Sequence, residues 1–160
     1  MKKFLYLLGV CALAFTHAAK ADVYVAVKGM TVNVDNAAYS DGLNVGAMFG
    51  VDFTQLGSNP VALELDFNTV LDEGKVSGTK WDTQTTAVYA AMRTGSDVYL
   101  KAKLGFHSTK TTVGAASGTT SDLAYGFGVG FSDYIIEYTI LKPETSAGSD
   151  ITLLSFGFLF

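Results

Sequence analysis

Ile151-Thr-Leu-Leu-Ser-Phe-Gly-Phe-Leu-Phe160 is the stretch that decides the fold of this chain. Counting back from Phe160, every second residue is large and apolar: Phe160, Phe158, Phe156, Leu154. Ser155 and Gly157, between them, are small or polar. Alternation at period two marks a β-strand whose two faces meet different surroundings. Termini of soluble domains tend to be polar and frayed, so a closing aromatic strand is out of place in one.

The amino-terminal end carries an export signature. Met1-Lys2-Lys3 is positive, Phe4 to Phe15 is an apolar run broken by Gly9, and Ala19-Lys20-Ala21 places small residues where a signal peptidase reads. Residues 1–21 are therefore expected to be a signal peptide cleaved after Ala21, with the mature chain starting at Asp22. The run is shorter than the ~20 residues that a transmembrane helix needs. Cys11, the single cysteine, follows Val10, a poor residue for a lipoprotein cleavage site. The mature chain then holds no cysteine, hence no disulfide, cysteine nucleophile or cysteine-bound metal.

Removing Lys2, Lys3 and Lys20 from 11 basic residues leaves 8 against 15 acidic ones, a net of −7. Such a chain is a poor nucleic-acid binder, because phosphate contact relies on Lys and Arg. No stretch of the mature sequence is long and apolar enough for a membrane helix. A membrane-spanning form must then be a closed barrel, the other way to satisfy every backbone group in lipid.

Residues 22–160 divide into eight alternating segments. The first sets Val23, Val25 and Val27 against Tyr24, Ala26 and Lys28. In the second, Val45, Ala47, Phe49, Val51 and Phe53 oppose Gly46, Met48, Gly50 and Asp52. The third sets Val61, Leu63, Leu65 and Phe67 against Ala62, Glu64, Asp66 and Asn68. Trp81 to Arg93 is ambiguous, since both faces are apolar; Val88, Ala90 and Met92 are taken as outward, which sends Tyr89 and Arg93 inward. The fifth opposes Val98, Leu100, Ala102, Leu104 and Phe106 to Tyr99, Lys101, Lys103 and Gly105. In the sixth, Leu123 to Phe131 alternates with Gly126, Gly128 and Gly130. Tyr134, Ile136, Tyr138 and Ile140 oppose Glu137 and Thr139 in the seventh, and the terminal strand is the eighth.

Between these segments, long and short links take turns. The long ones are Asn33 to Leu43, Asp72 to Lys80, Ser108 to Asp122 and Lys142 to Asp150; the short ones are Leu56 to Pro60, Thr94 to Asp97 and Ser132-Asp133. Short turns at one rim and longer loops at the other are the pattern of an up-and-down outer-membrane barrel. A soluble barrel would invert the faces, with charge outside and apolar residues within. Here every charge in a segment of clear parity shares a face with the glycines.

With its strand count, its loop alternation, Tyr99-Leu-Lys-Ala-Lys-Leu-Gly-Phe106, Ile136-Glu-Tyr-Thr139 and its terminal strand, the mature chain resembles the small eight-stranded outer-membrane barrels, the class of OmpX, Ail and the OmpA barrel domain. The resemblance implies an all-β, eight-stranded antiparallel up-and-down transmembrane β-barrel in the bacterial outer membrane, preceded by a cleaved signal peptide. It also implies that Leu154, Phe156, Phe158 and Phe160 serve as an assembly signal read by the barrel assembly machinery. Lipid and lipopolysaccharide are the implied surroundings, and a monomer the implied state. Roles in that family run from adhesion to lipid modification, so the fold does not name a function.

Three places can hold chemistry. Inward charges form the first: Lys28, Lys101 and Lys103 face Asp52, Glu64, Asp66 and Glu137. Mixed, near-neutral charge in so narrow a barrel suits a salt-bridged plug better than a conducting path. His107, the one histidine of the mature chain, is the second. Adjacent strand residues face opposite ways, so Ser108 is badly placed for it, and the spacing of the family's deacylases would want a serine at Thr109. His107 is read as a polar rim residue and no catalytic site is expected. The outer loops are the third, where a host or surface ligand would be met; their carboxylates either hold cations bridging lipopolysaccharide or stay hydrated. Ser108 to Ser121, rich in Ser, Thr, Gly and Ala, is read as a mobile solvated loop. Trp81, Tyr125, Phe131, Tyr134 and Phe160 are read as interface girdles. No cofactor or metal motif is present. The expected role is structural or adhesin-like with a plugged lumen; the alternatives are a small pore or transporter for ions or small solutes and a lipid-modifying enzyme.

Overall fold

A computed structural model describes residues 22–95, 97–142 and 148–160. The expected signal peptide, residues 1–21, lies outside the described residues, as does the middle of the last long link. The strands are β1 (Val23–Val34), β2 (Gly42–Leu56), β3 (Asn59–Asp72), β4 (Gly74–Val76), β5 (Thr79–Gly95), β6 (Val98–Val113), β7 (Ala116–Phe131), β8 (Tyr134–Leu141) and β9 (Ile151–Leu159). Each barrel strand pairs antiparallel with the next, β3 joins β5, and β9 closes on β1 with Lys28 opposite Gly157. Eight strands thus form a ring with no free edge inside the wall, and β4 is a short arm on β5. The short links after β2, β5 and β7 share the lower rim with both ends of the barrel.

Burial follows the expected parity. On β6 the outward Val98, Leu100, Leu104 and Phe106 are each more than half exposed, while Tyr99, Lys101 and Lys103 are buried. From Val98 to Phe106 is ~27 Å along the strand, or ~20 Å along the membrane normal at a tilt of ~40°, near the height of a lipid-facing belt. On β5 the ambiguity resolves: Tyr89 is buried, Ala90 is exposed, and Arg93 lies on the face of Tyr89.

Two parts of the upper rim differ from expectation. Ser108 to Ser121 is not a loop: β6 and β7 stay in register from Ser108↔Ser121 to Val113↔Ala116, turning at Gly114 with φ 58°. Threonine-rich backbone pairs well, and alternation failed to reveal it because above the belt both faces are polar. Trp81 is not a girdle residue either. It points inward, 1% exposed, with its indole N–H donating to the Ser40 carbonyl at 3.0 Å. Tyr39 packs edge-on against its ring.

Candidate functional site

The inward side chains stack in three layers. At the floor, Arg93 reaches past β3 from β5 to Asp52 on β2 and donates to both carboxylate oxygens, at 2.6 and 2.5 Å. The Arg93 guanidinium lies 4.4 Å from the centre of the Tyr24 ring and 6.0 Å from that of Tyr99. Both tyrosines lie over glycines on the neighbouring strand, in the pairs Tyr24↔Gly50 and Tyr99↔Gly130. A Cβ on Gly50 or Gly130 would stand 2.1 or 1.9 Å from those rings, so only glycine admits them.

The middle layer holds the remaining charges. Lys101 lies 2.6 Å from Glu64 and 2.7 Å from Glu137. Lys28 pairs with Asp66 and, at 3.2 Å, with Glu137. Lys103 reaches Asp66 at 3.3 Å and Glu137 at 3.4 Å, and its ammonium lies 4.5 Å from the centre of the Tyr89 ring. The Tyr24 hydroxyl donates to Glu64 at 2.5 Å, tying floor to middle. Three lysines meet three carboxylates, and Arg93 with Asp52 makes the fourth balanced pair. Of the residues singled out from sequence, Asp52 alone stands apart from the central cluster. Arg93, Tyr24 and Tyr89 belong to the network as well; the sequence alone turns Arg93 and Tyr89 inward but does not join them to the charge cluster.

The third layer mixes an apolar cluster with buried polar side chains, among them Asn44, Thr83, Thr85, His107 and Thr109. Met30, Val32, Val34, Trp81, Ala87, Tyr89, Ala124, Leu141 and Leu153 form one buried cluster at the mouth. His107 sits beside it, buried inside the wall rather than on the rim. Its Nε2 lies 2.8 Å from the Lys142 carbonyl and must donate there, so Nδ1 accepts from the Thr109 hydroxyl 2.9 Å away. Thr109 in turn lies 2.9 Å from Thr85. This is a base-and-hydroxyl pair in geometry, but Thr109 is fully buried and faces the lumen, and Asp122, opposite His107 on β7, makes no hydrogen bond to the imidazole, whose two nitrogens are taken by Thr109 and Lys142. Ser108 faces outward, away from His107.

Outside the membrane, Lys142 is held protonated above its usual range, chiefly by donating to Asp150 at 2.5 Å. Lys80 is shifted the same way by its hydrogen bond to Glu73. Among the described residues no three His, Cys, Asp or Glu side chains gather in a metal-holding group.

A sequence model of the family described as outer membrane protein beta-barrel domain matches residues 4–134. No curated protein sequence matches the chain. Among solved structures, it is similar to Ail, the attachment invasion locus protein of Yersinia pestis in complex with the heparin analogue sucrose octasulfate, at 18% identity and TM-score 0.54, covering 88% of this chain and 97% of that one. It is similar to Neisserial surface protein A at 14% identity and TM-score 0.55, covering 87% and 97%. A third similar structure, the outer membrane enzyme PagL, gives 12% identity and TM-score 0.53 over 84% and 98%. At these identities the likeness is one of fold.

Proposed function

This chain belongs to the outer-membrane β-barrel family, and we propose that it is a monomeric, non-conducting and non-enzymatic barrel that serves envelope structure or surface contact. It resides in the bacterial outer membrane, as the family and the similar barrels do. The observation that carries the proposal is the filled lumen: charges balanced in pairs below, and an apolar cluster above them. Ions crossing it would have to break buried pairs and then pass a mouth closed by packed side chains. The histidine–threonine pair inside that mouth has no path to a lipid ester, which supports a role other than lipid modification.

Above the belt, the β6–β7 extension and the β4–β5 arm form the display surface. Asp35, Asp41, Asp72, Glu73, Asp122 and Asp150 there outnumber Lys75, Lys80, Lys110 and Lys142. Ail is bound to a polysulfated sugar; this acidic surface suits a neutral or cationic contact better. Planar-bilayer recording of the purified, refolded protein is the test. Silent insertion supports the plug, and a reproducible conductance overturns it. A deletion strain assayed for adhesion and serum survival then reads out the surface role.

The terminal strand is the proposed assembly signal, and residues 1–21 the proposed signal peptide, so mature protein would start at Asp22. Phe160 donates its backbone N–H to the Val25 carbonyl at 2.8 Å and packs edge-on against Phe158. Deleting Phe160 is expected to lower the amount of folded protein at the outer membrane, with Leu159→Ala mild. Normal surface levels of the deletion variant would remove that role.

A further inference from the structure

The wall has an irregular seam where β3 leaves β5, beside a bulge that puts Leu43↔Asp72 and Asn44↔Val70 out of step on β2–β3; a second bulge on that pair lies near the lower rim, between Asp52 and Thr54. β3 and β5 pair up to Asn68↔Thr85, and pairing resumes between β4 and β5 at Gly74↔Trp81. Five residues, 69–73, therefore stand opposite three, 82–84, and the strands part. From inside, Asn44 closes the seam: its Nδ2 donates to the Thr83 carbonyl at 2.9 Å and to Asn68 Oδ1 at 2.8 Å. From outside, the parted strands leave a re-entrant groove of 490 Å³.

That groove straddles the upper edge of the lipid belt. Its lower lining is apolar, with Val45, Ala47 and Phe67; its upper lining is polar, with Gln84, Thr86, Ser108, Lys110 and Thr119. Cross-strand rows climb around the tilted barrel from β2 toward β7: the row that leaves β1 at Val23 returns to it at Asn33 after one circuit. Lys110, one row up and two strands on, therefore stands above Phe67, which pairs with Thr86. Val88, Phe106 and Leu123 make the last apolar row, Thr86, Ser108 and Ser121 the next, and Gln84, Lys110 and Thr119 the row above. Lys110 is exposed, and among the described residues it forms no ion pair. No carboxylate lines the groove, although the chain as a whole is acidic.

We propose that this seam is a seat for one phosphorylated lipid of the outer leaflet. The phosphate lies against Lys110, with the hydroxyls of Thr86, Ser108 and Thr119 and the amide of Gln84 as further donors. The acyl chains run down over Val45, Ala47 and Phe67. A groove with a single cation at headgroup height and apolar residues below matches an anionic amphiphile end for end. The volume is that of a headgroup, within the range of small-molecule sites. A free phosphate would use only the upper half, so the lipid is the better fit.

The proposal rests on the outer-membrane reading, and its test separates the two. The refolded full-length protein is inserted into phospholipid nanodiscs, extracted in mild detergent, and examined by native mass spectrometry with lipid A, with dephosphorylated lipid A, and with inorganic phosphate as competitor. Wild-type protein is expected to retain one lipid A and to release the dephosphorylated form. Lys110→Gln should weaken retention about tenfold, the loss of one charge-assisted hydrogen bond. Ser108→Trp, which fills the groove, should abolish retention, and Lys75→Gln, away from it, should change nothing. Heat-modified gel migration shows that each variant is folded; should Ser108→Trp not fold, Thr86→Val serves as the second groove variant, with weakened retention expected. Equal retention of both lipids, an unchanged Lys110→Gln, or displacement by millimolar inorganic phosphate overturns the seat while leaving the barrel intact. Failure of the wild-type protein to insert at all overturns the outer-membrane reading itself.

Discussion

Below the level of Lys103 the lumen is closed by ion pairs; above it, by Trp81, Leu141 and their apolar neighbours. The two plugs fail differently. A buried ion pair is costly to desolvate, and taking away one partner leaves the other charged in a place without water. An apolar layer that loses a side chain leaves a cavity, which neighbours or solvent at the open end partly fill. The packed mouth also covers the charged layer from above, so each ion pair below it acts through a lower dielectric than it would in an open channel. The upper plug strengthens the lower one.

Lys101→Ala is expected to have the largest effect. Lys101 is in contact with both Glu64 and Glu137, so its loss strands at least one carboxylate at a cost of ~3–5 kcal/mol. The measurement is the urea midpoint of the refolded barrel, read by heat-modified migration. Lys101→Met combined with Glu64→Gln restores neutrality and should recover half or more of that loss. If the double variant is no better than the single one, packing rather than charge holds the middle layer.

Trp81→Ala comes next, at about 3 kcal/mol, the lower end for a large buried aromatic because the mouth opens to solvent. It also frees the Ser40 carbonyl, so the 35–41 segment should become a protease-sensitive site. Trp81→Phe keeps most of the packing and should cost about 1 kcal/mol for the lost hydrogen bond. A Trp81→Ala barrel that stays as stable as wild type and passes no ions would show that the mouth layer is dispensable.

Asn44→Ala probes the one polar residue that stitches the seam. Its loss leaves the Thr83 carbonyl without its donor, worth about 1–2 kcal/mol by the same urea midpoint. The effect is smaller because a neutral hydrogen bond is lost and no charge is stranded.

How far these layers could be read from sequence follows from where the belt ends. Within lipid, apolar residues are outside and polar ones inside, so Lys101-Ala-Lys103 and Glu64-Leu-Asp66 announce their faces. Above the belt the environments exchange, and the pattern reverses. On β1, Val23, Val25 and Val27 face lipid, but from Met30 to Val34 the apolar residues Met30, Val32 and Val34 face in, and Thr31 and Asn33 face water. Trp81 on β5 and Leu153 on β9 follow the same reversal. A reading that assumed one rule along each strand found the charged layer and missed the apolar one, assigning Trp81 to the girdle and His107 to the rim. In the β6–β7 extension both faces are polar, with Thr109 turned into the lumen and Ser108 and Lys110 outward, so no apolar alternation exists to find. The groove depends on a two-residue mismatch between β3 and β5, a register property that no single strand records.

The smallest effect is expected at Val98, and it bears most directly on which surface is which. Val98 is 66% exposed at the lower edge of the belt, while Val32 is 1% exposed in the mouth. Val→Ala removes the same atoms at both. At Val98, lipid chains fill the vacated space and no group loses a partner, so the cost should stay near or below ~1 kcal/mol. At Val32 the surrounding strands cannot close in, and a cavity term adds to the transfer term, giving about 2 kcal/mol. The pair of urea midpoints in one lipid composition makes the comparison free of chemical differences. Equal costs would mean that Val98 is packed against protein, either a second copy of the chain or an inward face, and the lipid-facing assignment of β6 would have to be withdrawn.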